Sequence, residues 1–420
     1  MDETKMGILG DEVVKVNYQV QVGEPIGEVA LPDGPVRLNI GAGAHEIEGF
    51  SPIDRSLGTE AYPLDYPDES VDEIRASHIL EHFPHGTVQE VVNDWVRTLK
   101  PGGILRVAVP DFLKIAQSYL DGKPDNHQGY IMGGQGDVND YHMAILDAEN
   151  LREAFIRAGL EGIRPWESEI QDCASLPISL NLMGTKPTVA DMQTSAVAVL
   201  SAPRYGPIVH SREAFMAFTK AGIPYQIGQG VFWEQVLSEM LEALLLDPQF
   251  EFIITCDYDT VFSEFQVKEL IRMLRVHEDM DAICPVHCKR GDYKMLFGIG
   301  EAGSDKPRSM YMAELEKSVV PITTGHFGLT VFRTESLRKL ERPWFNSVPG
   351  DEGRWGKGRL DCDMYFWKNW KKCGLTLGLA PRVVVGHLEE LVIWPDQQMG
   401  PIHQTLSDFG NYGIPRNAWR

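Results

Sequence analysis

The sequence predicts an α/β protein built from two successive domains, and three observations carry that expectation. From Val36 onward, apolar runs of strand length alternate with helical repeats and glycine turns, the pattern of strand–helix–strand layering. The first such strand runs straight into a Gly-x-Gly turn at Gly41-Ala42-Gly43. A polar stretch around Gly184–Ser195 then precedes a fresh apolar strand, Ala196-Val197-Ala198-Val199-Leu200, as the first strand of a second domain would begin. The expected division is an arm over 1–34, a domain over 35–186, a linker over 187–195 and a domain over 196–420. Seven of the nine tryptophans lie beyond the linker, which argues against duplication of one half.

In order, residues 1–34 read as short alternating stretches (Val14, Val16, Tyr18, Val20, Val22), an extended arm or hairpin closed by Leu31-Pro32-Asp33-Gly34-Pro35. Leu38-Asn39-Ile40 is the first strand. Val88, Val91, Val92, Trp95, Val96 and Leu99 fall at helical spacing, predicting a helix over 87–99. Pro101-Gly102-Gly103 stops it, and 104–109 reads as a buried strand. A helix over 150–158 closes at Gly159, and Ser179–Met183 is the last strand of this half. In the second half, Phe252–Cys256 is a buried strand, and Val267, Leu270, Ile271 and Leu274 mark a helix after it.

Composition narrows the possibilities. The 420 residues are 43% hydrophobic and 24% charged, enough for a large core and unlike a disordered chain. A formal charge of −21 repels phosphate backbones and anionic membranes, so nucleic acid is a disfavoured partner, although Lys289-Arg290 or the arginines of 333–342 could form a local basic strip. No apolar run has transmembrane length, the start lacks a basic-then-apolar signal pattern, and six scattered cysteines suit a reducing compartment; the expected location is the cytoplasm. Cys284-Pro285-Val286-His287-Cys288 lacks a second ligand pair at zinc spacing and reads as buried thiols.

Two groups of residues suggest chemistry. Glycines at 41 and 43 allow positive φ and close approach of a ligand to the backbone, and Asp54 stands at the end of the expected second strand, where a ribose diol is commonly held. Tyr66–Ile74, Ala76-Ser77-His78-Ile79-Leu80-Glu81-His82 and Leu99-Lys100-Pro101-Gly102-Gly103 follow in order. This series resembles class I S-adenosylmethionine-dependent methyltransferases over about 37–186. The resemblance implies a Rossmann-like seven-stranded sheet and S-adenosylmethionine as cofactor. It places Asn39, Gly41, Ala42 and Gly43 around the methionine part and Asp54 on the ribose. Asp65 is a candidate near the adenine. Ala42 replaces the usual cysteine. His142 is a candidate base for a hydroxyl acceptor, or a structural histidine; His82 reads as structural.

In the second half, Asp257-Tyr258-Asp259 ends a buried strand, and acids at i, i+2 spacing there can share one divalent cation, which offsets the charge of a departing diphosphate. With Ser201-Ala202-Pro203-Arg204-Tyr205, Gly325-His326-Phe327, Asp361-Cys362-Asp363 and Gly386-His387, it resembles GT-A-fold glycosyltransferases of the family 2 kind over about 196–390. The resemblance implies a UDP- or GDP-sugar donor and a glycan or other hydroxyl acceptor. It puts Ala202, Pro203, Arg204, Asp257, Gly325 and His326 on the nucleotide sugar. Asp257, Asp259 and His387 would sit on Mn²⁺ or Mg²⁺, and Asp363 would be the base of an inverting reaction. Cys362 replaces the usual acid before it, so Asp361 is the competing base. The glycine-rich 350–358 segment reads as a lid or a surface loop.

The whole then reads as a bifunctional transferase assembling a methylated glycan. The alternatives are a glycosyltransferase with a non-catalytic acceptor-positioning first domain, or an enzyme adding sugar to modified DNA bases as some phage enzymes do.

Overall fold

The computed structural model describes residues 34–43, 46–188, 195–203, 208–288, 295–300, 308, 310–356, 358–388, 391–396, 398, 400–418. The predicted arm, apart from Gly34, and most of the predicted linker lie outside the described residues, as do Arg204 and the Lys289-Arg290 strip.

The first sheet comprises β1 (Arg37–Ile40), β2 (Ser51–Ile53), β3 (Val71–Ser77), β4 (Leu99–Pro110), β5 (Glu161–Pro165) and β6 (Ser179–Thr185), in the order β2-β1-β3-β4-β6-β5. Its first four strands are parallel, and β6 runs antiparallel to both β4 and β5. Described strands number six, where seven were expected. No strand forms between β2 and β3, where Pro63 and Pro67 bring no N–H to a ladder. That stretch is held instead by the helix α1 (Val88–Thr98). Asp94 accepts from the Leu64 N–H at 2.7 Å, and the Trp95 indole donates to the Ala61 carbonyl at 2.7 Å.

Helix α1 buries Val88, Val91, Val92, Trp95 and Val96, the stripe that predicted it, against Leu38, Ile40 and Ile74 of the sheet. β4 differs from expectation by starting at Leu99, so Pro101-Gly102-Gly103 lies inside it. The register shift opposite Val71–Glu73 accommodates those residues, and Gly102, at φ 84°, takes the turn there. After β4 come α2 (Phe112–Leu120), α3 (His127–Met132) and α4 (Ala148–Arg157), the last capped by the Asp147 carboxylate on the Asn150 N–H.

The opposite face of this sheet carries a small apolar cluster of Ala108, Trp166, Ala174 and Met183 together with a buried ion pair. Arg75 of β3, almost fully buried, pairs with Asp172 at 2.6 Å, and its guanidinium lies 5.3 Å from the centre of the Trp166 ring.

The second sheet has seven strands in the order β12-β14-β11-β13-β9-β7-β8. They are β7 (Ala196–Pro203), β8 (Tyr225–Gly230), β9 (Phe252–Asp257), β11 (Ala282–Val286), β12 (Val320–Ile322), β13 (Leu329–Arg333) and β14 (Leu377–Val384). β8, β7 and β9 are parallel, and β13 inserts antiparallel between β9 and β11. Helices α5 (Ile208–Ala221), α6 (Trp233–Leu245), α7 (Glu264–Val276), α8 (Thr334–Lys339) and α9 (Cys362–Lys372) accompany it. α7 covers one face through Val267, Leu270, Ile271 and Leu274, and begins at a Ser263–Gln266 capping box. α6 and α9 cover the other with Leu237, Leu241, Phe366, Trp367 and Trp370. Trp367 and Trp370 are core residues, whereas Trp355 is exposed. Two short strands, β10 (Thr260–Val261) and β15 (Gly386–His387), pair antiparallel with Thr260 opposite His387. A hairpin of β16 (Leu391–Pro395) and β17 (Pro401–Thr405) and the helix α10 (Leu406–Tyr412) end the described chain.

The two sheets do not stand apart. Ile156 of α4, 1% exposed, belongs to the apolar cluster of the second sheet. Arg152 donates to the Val276 carbonyl at 3.0 Å, and Glu153 accepts from the Ser318 N–H (2.9 Å) and hydroxyl (3.0 Å). The polar composition of 184–195 gives no sign of this seam, because α4 makes it with the end of α7 and with Ser318, all outside that stretch of sequence. Glu153→Ala removes the acceptor of the buried Ser318 N–H, while the Ser318 hydroxyl keeps His277 Nε2 at 2.8 Å; the change should cost about 1–3 kcal/mol, read as a lower urea midpoint for the full chain.

Candidate functional site

The first site opens beyond the ends of β1 and β2, where parallel strands deliver loops rather than ladder bonds. A cavity of about 600 Å³ there is lined by Gly41, Ile53, Asp54, Glu60, Ile79 and His82, among others. Gly41 has φ 71°, and a Cβ on it would come within 2.9 Å of the Ile79 Cβ, so the glycine is required twice over. Gly43, at φ 51°, donates its N–H to Asp54 Oδ2 at 2.9 Å. The other oxygen, Oδ1, accepts from the Ser56 N–H and hydroxyl at 2.9 and 2.6 Å. Burial alone would raise the Asp54 carboxyl, but these hydrogen bonds hold it below the ordinary range. The carboxylate is therefore charged and aimed, and it ties the glycine loop to β2.

Other expected residues fall elsewhere. Ala42 is buried behind the loop. The Asn39 side chain is buried and faces Arg75, 3.4 Å away, not the cavity. Asp65 is exposed and does not line the cavity; Glu60, paired with Arg55 at 2.8 Å, lines it beside Asp54. No periodicity or motif marks Glu60 in the sequence. His82, read as structural, lines the cavity, and its ring meets that of His142 edge-on at 4.8 Å. Burial lowers the His142 pKa, keeping the ring neutral, and its Nδ1 sits 3.1 Å from the Tyr130 carbonyl.

The second site is a cavity of about 520 Å³ beyond the end of β9. Asp257, Asp259, Asp363, His387, Gly325 and His326 all line it, although the chain separates the first from the last by more than a hundred residues. Asp257 Oδ1 accepts from the Trp233 indole (3.0 Å) and the Ser201 hydroxyl (3.1 Å). Burial, with Asp259 adding, pushes its pKa up to about 6 against those bonds. Asp259 is 5% exposed, and its Oδ2 lies 3.3 Å from His387 Nε2. The other ring nitrogen of His387, Nδ1, is 2.7 Å from the Cys288 carbonyl, which fixes the tautomer and leaves Nε2 directed at the carboxylate. The β10–β15 pairing brings these two residues together.

Asp363 sits in the first turn of α9, half-buried, with Oδ1 accepting the Met364 N–H at 2.7 Å. Its pKa is raised by burial, with Asp361 as a smaller cause. Asp361 is exposed, held by Arg359 at 2.8 Å, and does not line the cavity.

Among the expected nucleotide ligands, both ring nitrogens of His326 are engaged, Nε2 at 3.0 Å from the Pro285 carbonyl and Nδ1 accepting from the Gly328 N–H at 3.2 Å. Burial pushes its pKa down to about 4. It shapes the wall and has no nitrogen left for a ligand. At Gly325 a Cβ would press on Cys284 Sγ and Leu377, each at 3.2 Å. Ala202 lies outside the lining, Pro203 is the last residue of β7, and Arg204 lies outside the described residues.

Two contributors escaped sequence reasoning. Trp233, one of nine tryptophans, carries no local signal. His287 lies between the two cysteines read as thiols; its buried ring is 4.5 Å from that of His387 and 4.7 Å from that of His326, and burial pushes its pKa down to about 3. All six cysteines are free, and burial pushes the Cys284 thiol up to about 12.

Residues 50–107 match a family model described as "Methyltransferase domain". No curated protein matches the chain. Among solved structures, A197 from STIV is 15% identical, with 50% of this chain and 94% of that chain covered at a TM-score of 0.33. A possible histamine N-methyltransferase from Thermotoga maritima is 18% identical over 37% of this chain and 84% of its own, with a TM-score of 0.25. A SAM-dependent methyltransferase from Archaeoglobus fulgidus is 15% identical over 36% and 87%, at 0.27. Likenesses this distant carry no argument about function, and no described helix is long and apolar enough to cross a membrane. What the comparisons add is that the segment from β2 into β4 of the first sheet is similar to the methyltransferase domain family.

Proposed function

We propose that the chain is a two-headed transferase. Its first half binds S-adenosylmethionine and methylates an acceptor; its second half transfers a sugar from a UDP- or GDP-sugar to a hydroxyl. The sequence passes from one half to the other over 187–195, and the shared product is a methylated glycan. The observation that carries the sugar-transfer reading is the convergence of Asp259, His387 and Asp363 on one cavity.

The donor set fits a divalent cation, Mn²⁺ or Mg²⁺. One carboxylate and one imidazole with a fixed tautomer supply two ligands, and such ions take their remaining positions from phosphate and water. That cation would offset the charge gathering on the departing diphosphate. Asp257, already bonded to Trp233 and Ser201, faces the nucleotide side and orders the end of β9. Asp363 accepts the proton of the acceptor hydroxyl. Its raised pKa brings it closer to the operating range of a base, and Asp361 is spent on Arg359. The 350–358 loop would close over the bound pair.

In the first half, S-adenosylmethionine would supply a methyl group on a positive sulfur. Gly41 and Gly43 let the backbone meet it closely, and Asp54 would accept from the ribose hydroxyls with the lone pairs its loop leaves free. Glu60 stands beside it on the same wall.

A thermal-shift series tests both heads. Ligand at a hundred times its dissociation constant stabilises by about 2.7 kcal/mol. S-adenosylmethionine should raise the melting temperature of the wild type and leave that of Asp54→Asn nearly unmoved. UDP- or GDP-sugar should act only with Mn²⁺ or Mg²⁺ present. A chain indifferent to S-adenosylmethionine would end the methyl-transfer reading, and metal-independent nucleotide binding would end the other.

A further inference from the structure

We propose that Glu81, His82 and His142 form a binding site for a divalent transition-metal ion beside the first cavity, distinct from the cation of the sugar-transfer site. Each of the three offers a ligand atom, and these atoms lie within 4.8 Å of one another. Glu81 is 1% exposed, and neither of its carboxylate oxygens has a hydrogen-bond partner. The nearest cation is His78, whose Nδ1 is 3.3 Å from Oε1 and is charged only when protonated. A buried carboxylate left without donors is costly, and a metal ion removes that cost.

The histidines are prepared in the same sense. His82 Nδ1 is buried without a partner. His142 Nδ1 lies against the Tyr130 carbonyl, so that nitrogen carries the proton and Nε2 keeps its lone pair. The backbone fixes the three together. The N–H groups of Met143 and Ala144 both donate to the Glu81 carbonyl, at 2.7 and 3.1 Å, locking the His142 loop onto the turn that carries Glu81 and His82.

Two imidazoles and one carboxylate are a donor set for Zn²⁺ or a neighbouring first-row ion with one position left open. At metal–ligand distances of about 2.0–2.1 Å such donors stand about 3.4 Å apart, so a pair at the 4.8 Å limit closes by about 1.4 Å when an ion binds. His82 also lines the cavity, so an ion it held would border the space for a methyl acceptor and could polarise it as a Lewis acid. That role rests on the proposed S-adenosylmethionine reading; the metal site itself does not.

The test titrates Co²⁺, with Zn²⁺ as competitor, into metal-free full-length protein carrying Asp259→Asn to silence the other site. One equivalent should bind with visible d–d absorption and be displaced by Zn²⁺. Adding Glu81→Gln, His82→Ala or His142→Ala should each weaken binding by at least about tenfold. Glu81→Gln keeps size and shape, so it stands as the test if a histidine variant fails to fold. No Co²⁺ bound, or equal binding in all three variants, overturns the site and leaves a Glu81–His78 ion pair in its place. S-adenosylmethionine binding by the metal-free protein is measured in parallel, so either reading can fail alone.

Discussion

Asp363→Asn should cut sugar transfer on the order of 10²–10⁴-fold while leaving nucleotide affinity nearly intact. The amide keeps the shape of the side chain and its bond with the Met364 N–H, but it takes no proton from the acceptor in the transition state. Asp259→Asn should do the reverse. With one carboxylate gone from beside His387 Nε2, metal-dependent nucleotide binding weakens, because metal and diphosphate each supply the charge the other lacks. Titrations of UDP and GDP with Mn²⁺ and with chelator, on wild type and both variants, separate the roles. Loss of nucleotide binding by Asp363→Asn as severe as by Asp259→Asn would move Asp363 into the donor site. Asp361→Asn is the control: its carboxylate is exposed and held by Arg359, so turnover should be almost unchanged.

Asp172→Ala should destabilise the protein by about 3–5 kcal/mol, because it strands a buried guanidinium. Arg75 and Asp172 are 3% and 5% exposed at 2.6 Å, and the partners left to Arg75 would be Ser168 at 3.1 Å and Asn39 at 3.4 Å. The effect should depend on pH. Burial alone would raise the Asp172 carboxyl, but the Arg75 bond overcomes it and holds the group below its ordinary value. Its contribution is thus complete above the unfolded value, near 3.9, and disappears as pH falls through the lower folded value. Urea midpoints of wild type and Asp172→Ala should differ fully at pH 7 and converge in strong acid. A constant gap across that range would remove the ion pair as the cause.

Local signals in the sequence were sufficient for whatever depends on neighbouring residues. The stripe from Val88 to Val96 is buried as its spacing required, and Gly41 meets both a positive φ and the Ile79 side chain. Asp257 does end a buried strand, with Asp259 in the turn just after it, and His387 reaches Asp259 through a two-residue pairing across more than a hundred positions. What could not be read depends on distant partners. The loop between β2 and β3 has enough apolar residues for a strand, but Asp94, Trp95 and Arg97 bind its backbone to a helix instead. Asn39 stands two residues before Gly41 yet faces Arg75, because alternation along β1 turns it from Leu38 and Ile40. His326 stands beside Gly325 in the sequence, but the carbonyl of Pro285 and the N–H of Gly328 consume both its nitrogens.

The seam between α4 and α7 bears on how this chain could have been inherited. Ile156 fills a place in the core of the other half, while Arg152 and Glu153 satisfy polar groups there. A gene fragment encoding the first half alone, moved next to a different partner, would carry an apolar residue and two hydrogen-bonding side chains matched to nothing. Exchange of either half by recombination would have to bring compensating changes on both sides of the seam at once. Selection would therefore pass the two halves on as one unit even where their chemistries could work apart.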